Sequence, residues 1–153
     1  MSDMHFHIYL EYMKELSTYD ASVNDLTNDD IKNLIRFYEI EPGVRLINII
    51  LGSKLIGFLI IGFNGSECHP DADYTILQMY VKSEYRHLGL ASEHVYKFLS
   101  SHPGIYALDV IKGNEPAEIF WKKIFETIEA EPIVLKEVRP NAEKLNLYGY
   151  KVS

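Results

Sequence analysis

The stretch Ile76 to Ser92, ILQMYVKSEYRHLGLAS, limits the possible folds of this chain more than any other. It reads as a short apolar strand, a polar turn, and a helix opening at Arg86-His87-Leu88-Gly89-Leu90-Ala91. A helix that starts this way leaves its first backbone N–H groups without intrahelical partners. Those donors, with the positive end of the helix dipole, suit a phosphate or pyrophosphate. Gly89 and Ala91 carry almost no side chain, so a ligand can come close to the backbone, and Arg86 adds a permanent cation with forked donors. Further on, Ile105 to Val110 forms a second strand. A strand–helix–strand order of this length implies a parallel pair with a right-handed crossover.

The remaining pattern fills in around that unit. Tyr9, Tyr12, Met13 and Leu16 share one helical face, and Ile31, Leu34, Ile35 and Tyr38 share another. Thr27 with Asp30 resembles a capping box, and Pro42-Gly43 ends the second helix. Thr18 to Asn24 and Asn64 to Asp73 read as polar loops. Leu46–Leu51 and Leu55–Phe63 are Ile- and Leu-rich runs joined at Gly52-Ser53, as in a tight antiparallel hairpin. Ala91, Val95, Phe98 and Leu99 mark the buried face of the helix after the turn, which Pro103-Gly104 closes. Asn114 is a good N-cap with Pro116 in the first turn. Ala117, Phe120, Trp121, Ile124 and Phe125 follow at helical spacing. Ile133–Val138 and Lys144–Tyr150 read as a closing hairpin, and Phe6–Tyr9 as a short first strand. The expected fold is a single α+β (mixed α/β) domain over residues 1–153. Its sheet is mostly antiparallel with one parallel β-α-β crossover, and helices lie on both faces.

Bulk properties narrow the function classes. A formal charge of −7 argues against a nucleic-acid partner. No apolar run reaches the length of a membrane span, and the N-terminus lacks the basic start and apolar core of a secretory signal. The single cysteine, Cys68, excludes an internal disulfide framework and fits a reducing, cytoplasmic setting. Cys68-His69 with Asp71 and Asp73 matches no standard zinc or calcium spacing, so no metal is expected.

Arg86-x-x-Gly89-x-Ala91 between strand and helix resembles the GCN5-related N-acetyltransferase (GNAT) family. Asn114-Glu115-Pro116-Ala117-Glu118-Ile119-Phe120-Trp121 is similar to that family's Asn-x-x-Ala-x-x-aromatic-aromatic helix start, and the two motifs stand in the family's order. The resemblance implies acetyl-coenzyme A as co-substrate, with its pantetheine arm paired to the backbone of Met79, Tyr80 and Val81. It implies a pyrophosphate on Arg86, His87, Leu88, Gly89, Leu90, Ala91 and Ser92, and a further contact from Asn114. It also implies transfer to a primary amine, on a small molecule or a peptide, by direct attack in a ternary complex. A non-catalytic acetyl-coenzyme A sensor is the alternative. Members often dimerise, and the apolar final strand leaves room for such pairing.

The resemblance is incomplete where protons move. Members often carry an acid tyrosine seven residues after the asparagine; here that position is Trp121, whose indole is no useful acid. Core packing explains Trp121, which is also counted with the residues lining the coenzyme and acceptor pocket. Tyr148, Tyr150, Tyr106 and Tyr80 all remain open as the acid, with Tyr148 taken as the candidate. The strand position where members often hold a basic carboxylate is Gln78. Asp73, at the strand's entry, is the nearest upstream acid and the candidate base. Glu84 lies in the turn.

Overall fold

The computed structural model describes residues 3–63, 69–140 and 142–153. Its first element is a helix, α1 (Asp3–Leu16), so the expected strand at Phe6–Tyr9 is helical instead. Burial explains the difference: Ile8, Tyr9 and Met13 are all inside, a spacing that a helix satisfies and an alternating strand does not. A short 3-10 turn, Ala21–Asp25, interrupts the loop that follows; Asp20 opens it by accepting from the Ser22 N–H. Helix α2 (Asn28–Ile40) starts at the expected box. Thr27 Oγ1 accepts from Asp30 N–H (3.1 Å) and Asp30 Oδ2 accepts from Thr27 N–H (2.8 Å).

Strands β1 (Val44–Leu51) and β2 (Lys54–Phe63) form the hairpin, with Gly52 at φ 63° in its two-residue turn. Then come β3 (Tyr74–Val81), α3 (Leu90–Ser101), β4 (Gly104–Ile111), α4 (Glu115–Thr127), β5 (Glu131–Ile133) and β6 (Leu145–Val152). The six-stranded sheet has the order β1-β2-β3-β4-β6-β5, and β3–β4 is its parallel pair. Strand β5 begins two residues earlier than the sequence suggests and stops at Ile133 rather than Val138. Val134 is 99% exposed, so no apolar surface carries the strand further. Cys68 lies outside the described residues.

Two cores sandwich the sheet. On one face Val95, Phe98 and Leu99 of α3 and Trp121, Ile124 and Phe125 of α4 pack with Leu59, Ile61, Ile76, Tyr106, Leu108 and Val110. On the other, Ile8, Tyr9 and Met13 of α1 and Ile31 and Ile35 of α2 pack with Phe58, Ile60 and Tyr80. The α1/α2 layer lies over β1 to β3, the half of the sheet that ends at the parallel pair.

Candidate functional site

The parallel pair is short. Residues Tyr74, Thr75 and Ile76 of β3 pair with Tyr106, Ala107 and Leu108 of β4, and there the pairing stops. Both strands continue, to Val81 and Ile111, so they part into a fork with its apex at Ile76 and Leu108. The register of β3 against β2 slips at the same point. Ile61 faces Ile76 and Ile60 faces Gln78, which leaves Leu77 as a bulge. Beyond it Met79, Tyr80 and Val81 pair with Leu59, Phe58 and Gly57 on one edge only. Their other edge borders the fork and matches an extended chain that carries amide groups.

The turn after β3 closes the wide end. Lys82 N–H donates to Ile56 O (2.8 Å), and one 3-10 turn, Ser83–Tyr85, leads to Arg86. His87 then takes φ 64° and Gly89 φ 79°, both left-handed. The glycine adopts that conformation freely; for histidine it is uncommon. Gly89 is the N-cap of α3 and makes no side-chain cap, unlike Thr27 on α2 or Asn114 on α4. Glu93 N–H closes a helical bond onto Gly89 O at 3.0 Å. The amides just before it point outward from the helix start. A Cβ at Gly89 would meet nothing within 4 Å, so the space before these donors is open. The turn therefore suits an anion through backbone and dipole, without help from a capping side chain.

Arg86 is engaged by partners within the protein. Its Nε donates to Val81 O (2.8 Å), its two terminal nitrogens grip Glu15 of α1 (2.7 and 2.8 Å), and its guanidinium lies 5.3 Å over the Tyr80 ring. Glu15 holds its pKa above the ordinary value. With its fork engaged by Glu15, Arg86 ties the turn to α1. Asn114 caps α4, accepting from Ala117 N–H at 3.3 Å through Oδ1 and keeping its NH2 group for another partner. Trp121 is 6% exposed, edge-on to Phe120 and tilted on Phe125, so its indole is a core residue.

The two proton-transfer candidates lie on opposite sides of the fork's apex, each engaged with a protein partner. Asp73 lies at the entry of β3, about 26 Å of extended chain from Val81. Its Oδ2 accepts from Ile105 N–H (2.8 Å) and its own N–H donates to Ile105 O (2.8 Å), so it clamps the closed end of the pair. Tyr148 sits on β6, opposite Leu108. Its hydroxyl donates to Glu118 of α4, which also accepts from Asn146 Nδ2 (2.9 Å), and this pairing pushes the phenol up to about 12.

Two polar clusters near the fork have no counterpart among the sequence expectations. Gln78 is held from both sides: Tyr9 of α1 donates to its Oε1, and its Nε2 donates to the Tyr38 hydroxyl of α2 (2.9 Å). Burial pushes both phenols above their ordinary pKa. The second cluster gathers on Asp109, one residue past the apex on β4. Arg139 meets it with two nitrogens (3.0 and 2.7 Å), and His69 Nε2 donates to it at 2.8 Å. Arg139 also grips Glu137, at 2.7 Å through Nε, which drops that carboxyl to about 2. The β2–β3 and β5–β6 connections thus meet on one carboxylate beside the fork. His69 serves Asp109 there, rather than a site with Cys68, Asp71 and Asp73.

Residues 8–126 match the acetyltransferase (GNAT) family. No protein of curated function matches the chain in sequence. Among solved structures, an acetyltransferase from Thermus thermophilus superposes with TM-score 0.60 at 20% identity, over 81% of this chain and 74% of that one. The PaiA N-acetyltransferase of Thermoplasma acidophilum, solved in complex with coenzyme A, gives 0.59 at 17% identity, over 97% and 92%. An N-acetyltransferase of Staphylococcus aureus gives 0.61 at 16% identity, over 95% and 93%. At these identities the likeness is one of fold.

Proposed function

The chain belongs to the GNAT acetyltransferase family, and on that premise we propose that it moves the acetyl group of acetyl-coenzyme A onto a primary amine. The amine belongs to a small molecule or a peptide and attacks directly while both substrates are bound. The observation that carries this reading is the fork: parallel strands that pair over three residues and then part beside an uncapped, glycine-opened helix start. The free edge of Met79 to Val81 suits the pantetheine amides. The backbone from His87 to Ser92 suits the pyrophosphate, and the Asn114 carboxamide lies at the start of the next helix.

The chemistry needs no enzyme nucleophile. An ammonium ion has no lone pair, so the acceptor first gives up one proton to a base or to water. Its nitrogen then bonds to the thioester carbon, the carbon–sulfur bond breaks, and the second amine proton leaves. The sulfur departs as thiolate and is protonated, so the products are an amide, a thiol and one released proton. Asp73 and Tyr148 take no step in this reading, because one clamps the closed end of the strand pair and the other is held by Glu118. A coenzyme-binding module without turnover is the competing reading; its support is Trp121, buried where relatives often place an acid.

Isothermal titration with acetyl-coenzyme A tests the reading. Gly89→Asp forces a side chain into a left-handed backbone and sets a negative charge at the amides. It is expected to weaken binding by about 2–3 kcal/mol, roughly a hundredfold. Wild-type protein that binds no coenzyme would overturn the reading. Binding without turnover on any amine would favour the module.

A further inference from the structure

The bulge at the apex of the fork does something specific to β3. It turns two consecutive side chains, Leu77 and Gln78, to the α1/α2 face. A Cβ at Gly62 on that face would lie 3.5 Å from Leu77 Cδ1, and Gln78 reaches Tyr9 in α1 and Tyr38 in α2. Leu77 is 36% exposed, an apolar group next in sequence to a half-buried carboxamide held at both ends. The carboxamide has two N–H donors and one oxygen. Each phenol takes one end of it, and because a hydroxyl can donate or accept, this holds whichever way the amide is turned. One N–H of Gln78 is left over. Both tyrosines are anchored on helices, so that donor is fixed before any ligand arrives, the condition under which a hydrogen bond to a developing negative charge is most effective.

A partly exposed leucine next in sequence to a carboxamide with one unused N–H suits an acetyl group: a methyl and a carbonyl oxygen on the same carbon. Resting on the acetyl-coenzyme A reading above, we propose that Leu77 and Gln78 form the acyl-recognition element of the site. The Gln78 N–H donates to the thioester oxygen and Leu77 meets the methyl. Tyr9 and Tyr38 are positioning residues that act through Gln78. In this arrangement the same N–H follows the oxygen as it gains charge during amine attack.

The test compares acetyl-coenzyme A with coenzyme A by calorimetry, because a residue that only ties α1 and α2 to β3 would affect both ligands alike. Wild-type protein is expected to bind acetyl-coenzyme A about tenfold more tightly than coenzyme A, the size of one well-made hydrogen bond. Gln78→Leu should erase that preference while leaving the affinity for coenzyme A within about twofold. Tyr38→Phe, which frees one end of the carboxamide, should reduce the preference by a smaller factor. Gln78→Met, with similar length and no donor, gives the same reading if the leucine variant does not fold. Equal weakening of both ligands, an unchanged preference in the Gln78 variants, or a wild type without preference would each overturn the proposal. Failure of the wild type to bind either ligand would instead remove the coenzyme reading, and the proposal with it.

Discussion

On the α3/α4 face of the sheet, Trp121, Ile124 and Phe125 press onto Tyr106, Leu108 and Val110, and Phe125 stacks on Tyr150 at 4.0 Å between ring centres. On the α1/α2 face, beside the rings of Tyr12, Phe58 and Tyr80, side chains near the fork also meet through polar contacts: Tyr9–Gln78–Tyr38, then Glu15–Arg86. The first face depends on shape and dry area, which tolerate no cavity but need no exact partner atom. The second depends on donors and acceptors that must meet, so it fixes side chains at defined places beside the fork. In this fold both faces bury an apolar core, and the α1/α2 face adds hydrogen-bonded groups held at defined places beside the fork.

Three experiments press on that contrast. The largest effect belongs to the apolar face: Trp121→Ala should cost about 3–5 kcal/mol in denaturant unfolding. A loss below about 1 kcal/mol would mean that the indole serves a ligand more than the core. A smaller effect belongs to the tie between α1 and the turn. Arg86 and Glu15 are 33% and 41% exposed, so solvent screens them, and a double-mutant cycle with Arg86→Ala and Glu15→Ala should give a coupling of about 1 kcal/mol or less. That coupling should shrink as salt is raised; a cycle with no coupling would detach α1 from the turn. The smallest effect is a pH dependence at Tyr148. Its folded pKa is raised from 10.0 to about 12, so the neutral phenol is the stabilised form. That contribution is fully present below about pH 10 and is lost as pH rises towards 12. Measured by thermal unfolding, the stability difference between wild type and Tyr148→Phe should therefore stay level up to about pH 10 and shrink above it.

The same contrast explains what can be read from the chain alone. The turn from Arg86 to Ser92, the cap at Asn114 and the box at Thr27 and Asp30 are local, each set by residues a few positions apart, and each stands where the sequence puts it. The polar contacts on the other face are not local. Tyr9 and Gln78 are 69 residues apart, Arg86 and Glu15 71, and Asp109 and Arg139 30. No spacing rule links such positions, so the pairing of Arg86 with an acid on the first helix is not legible in the sequence. The partners of Asp73 and Tyr148 are hidden for a related reason: distance along a strand says which end a residue occupies, and only the register of neighbouring strands says what it faces. Phe6–Tyr9 shows the limit for short apolar runs, which fit a strand or a buried helix turn equally well until length decides.

The fork also divides the sheet. Strands β1, β2 and β3 form one leaf and β4, β6 and β5 the other, and the backbone ladder between the leaves is three residue pairs long. Such a seam is short, and opening it costs few ladder bonds. Anything that lies in the fork and pairs with β3 adds rungs to that seam. Whatever occupies it thus acts as a missing strand, and the melting temperature of the whole protein becomes a gauge of how full the fork is.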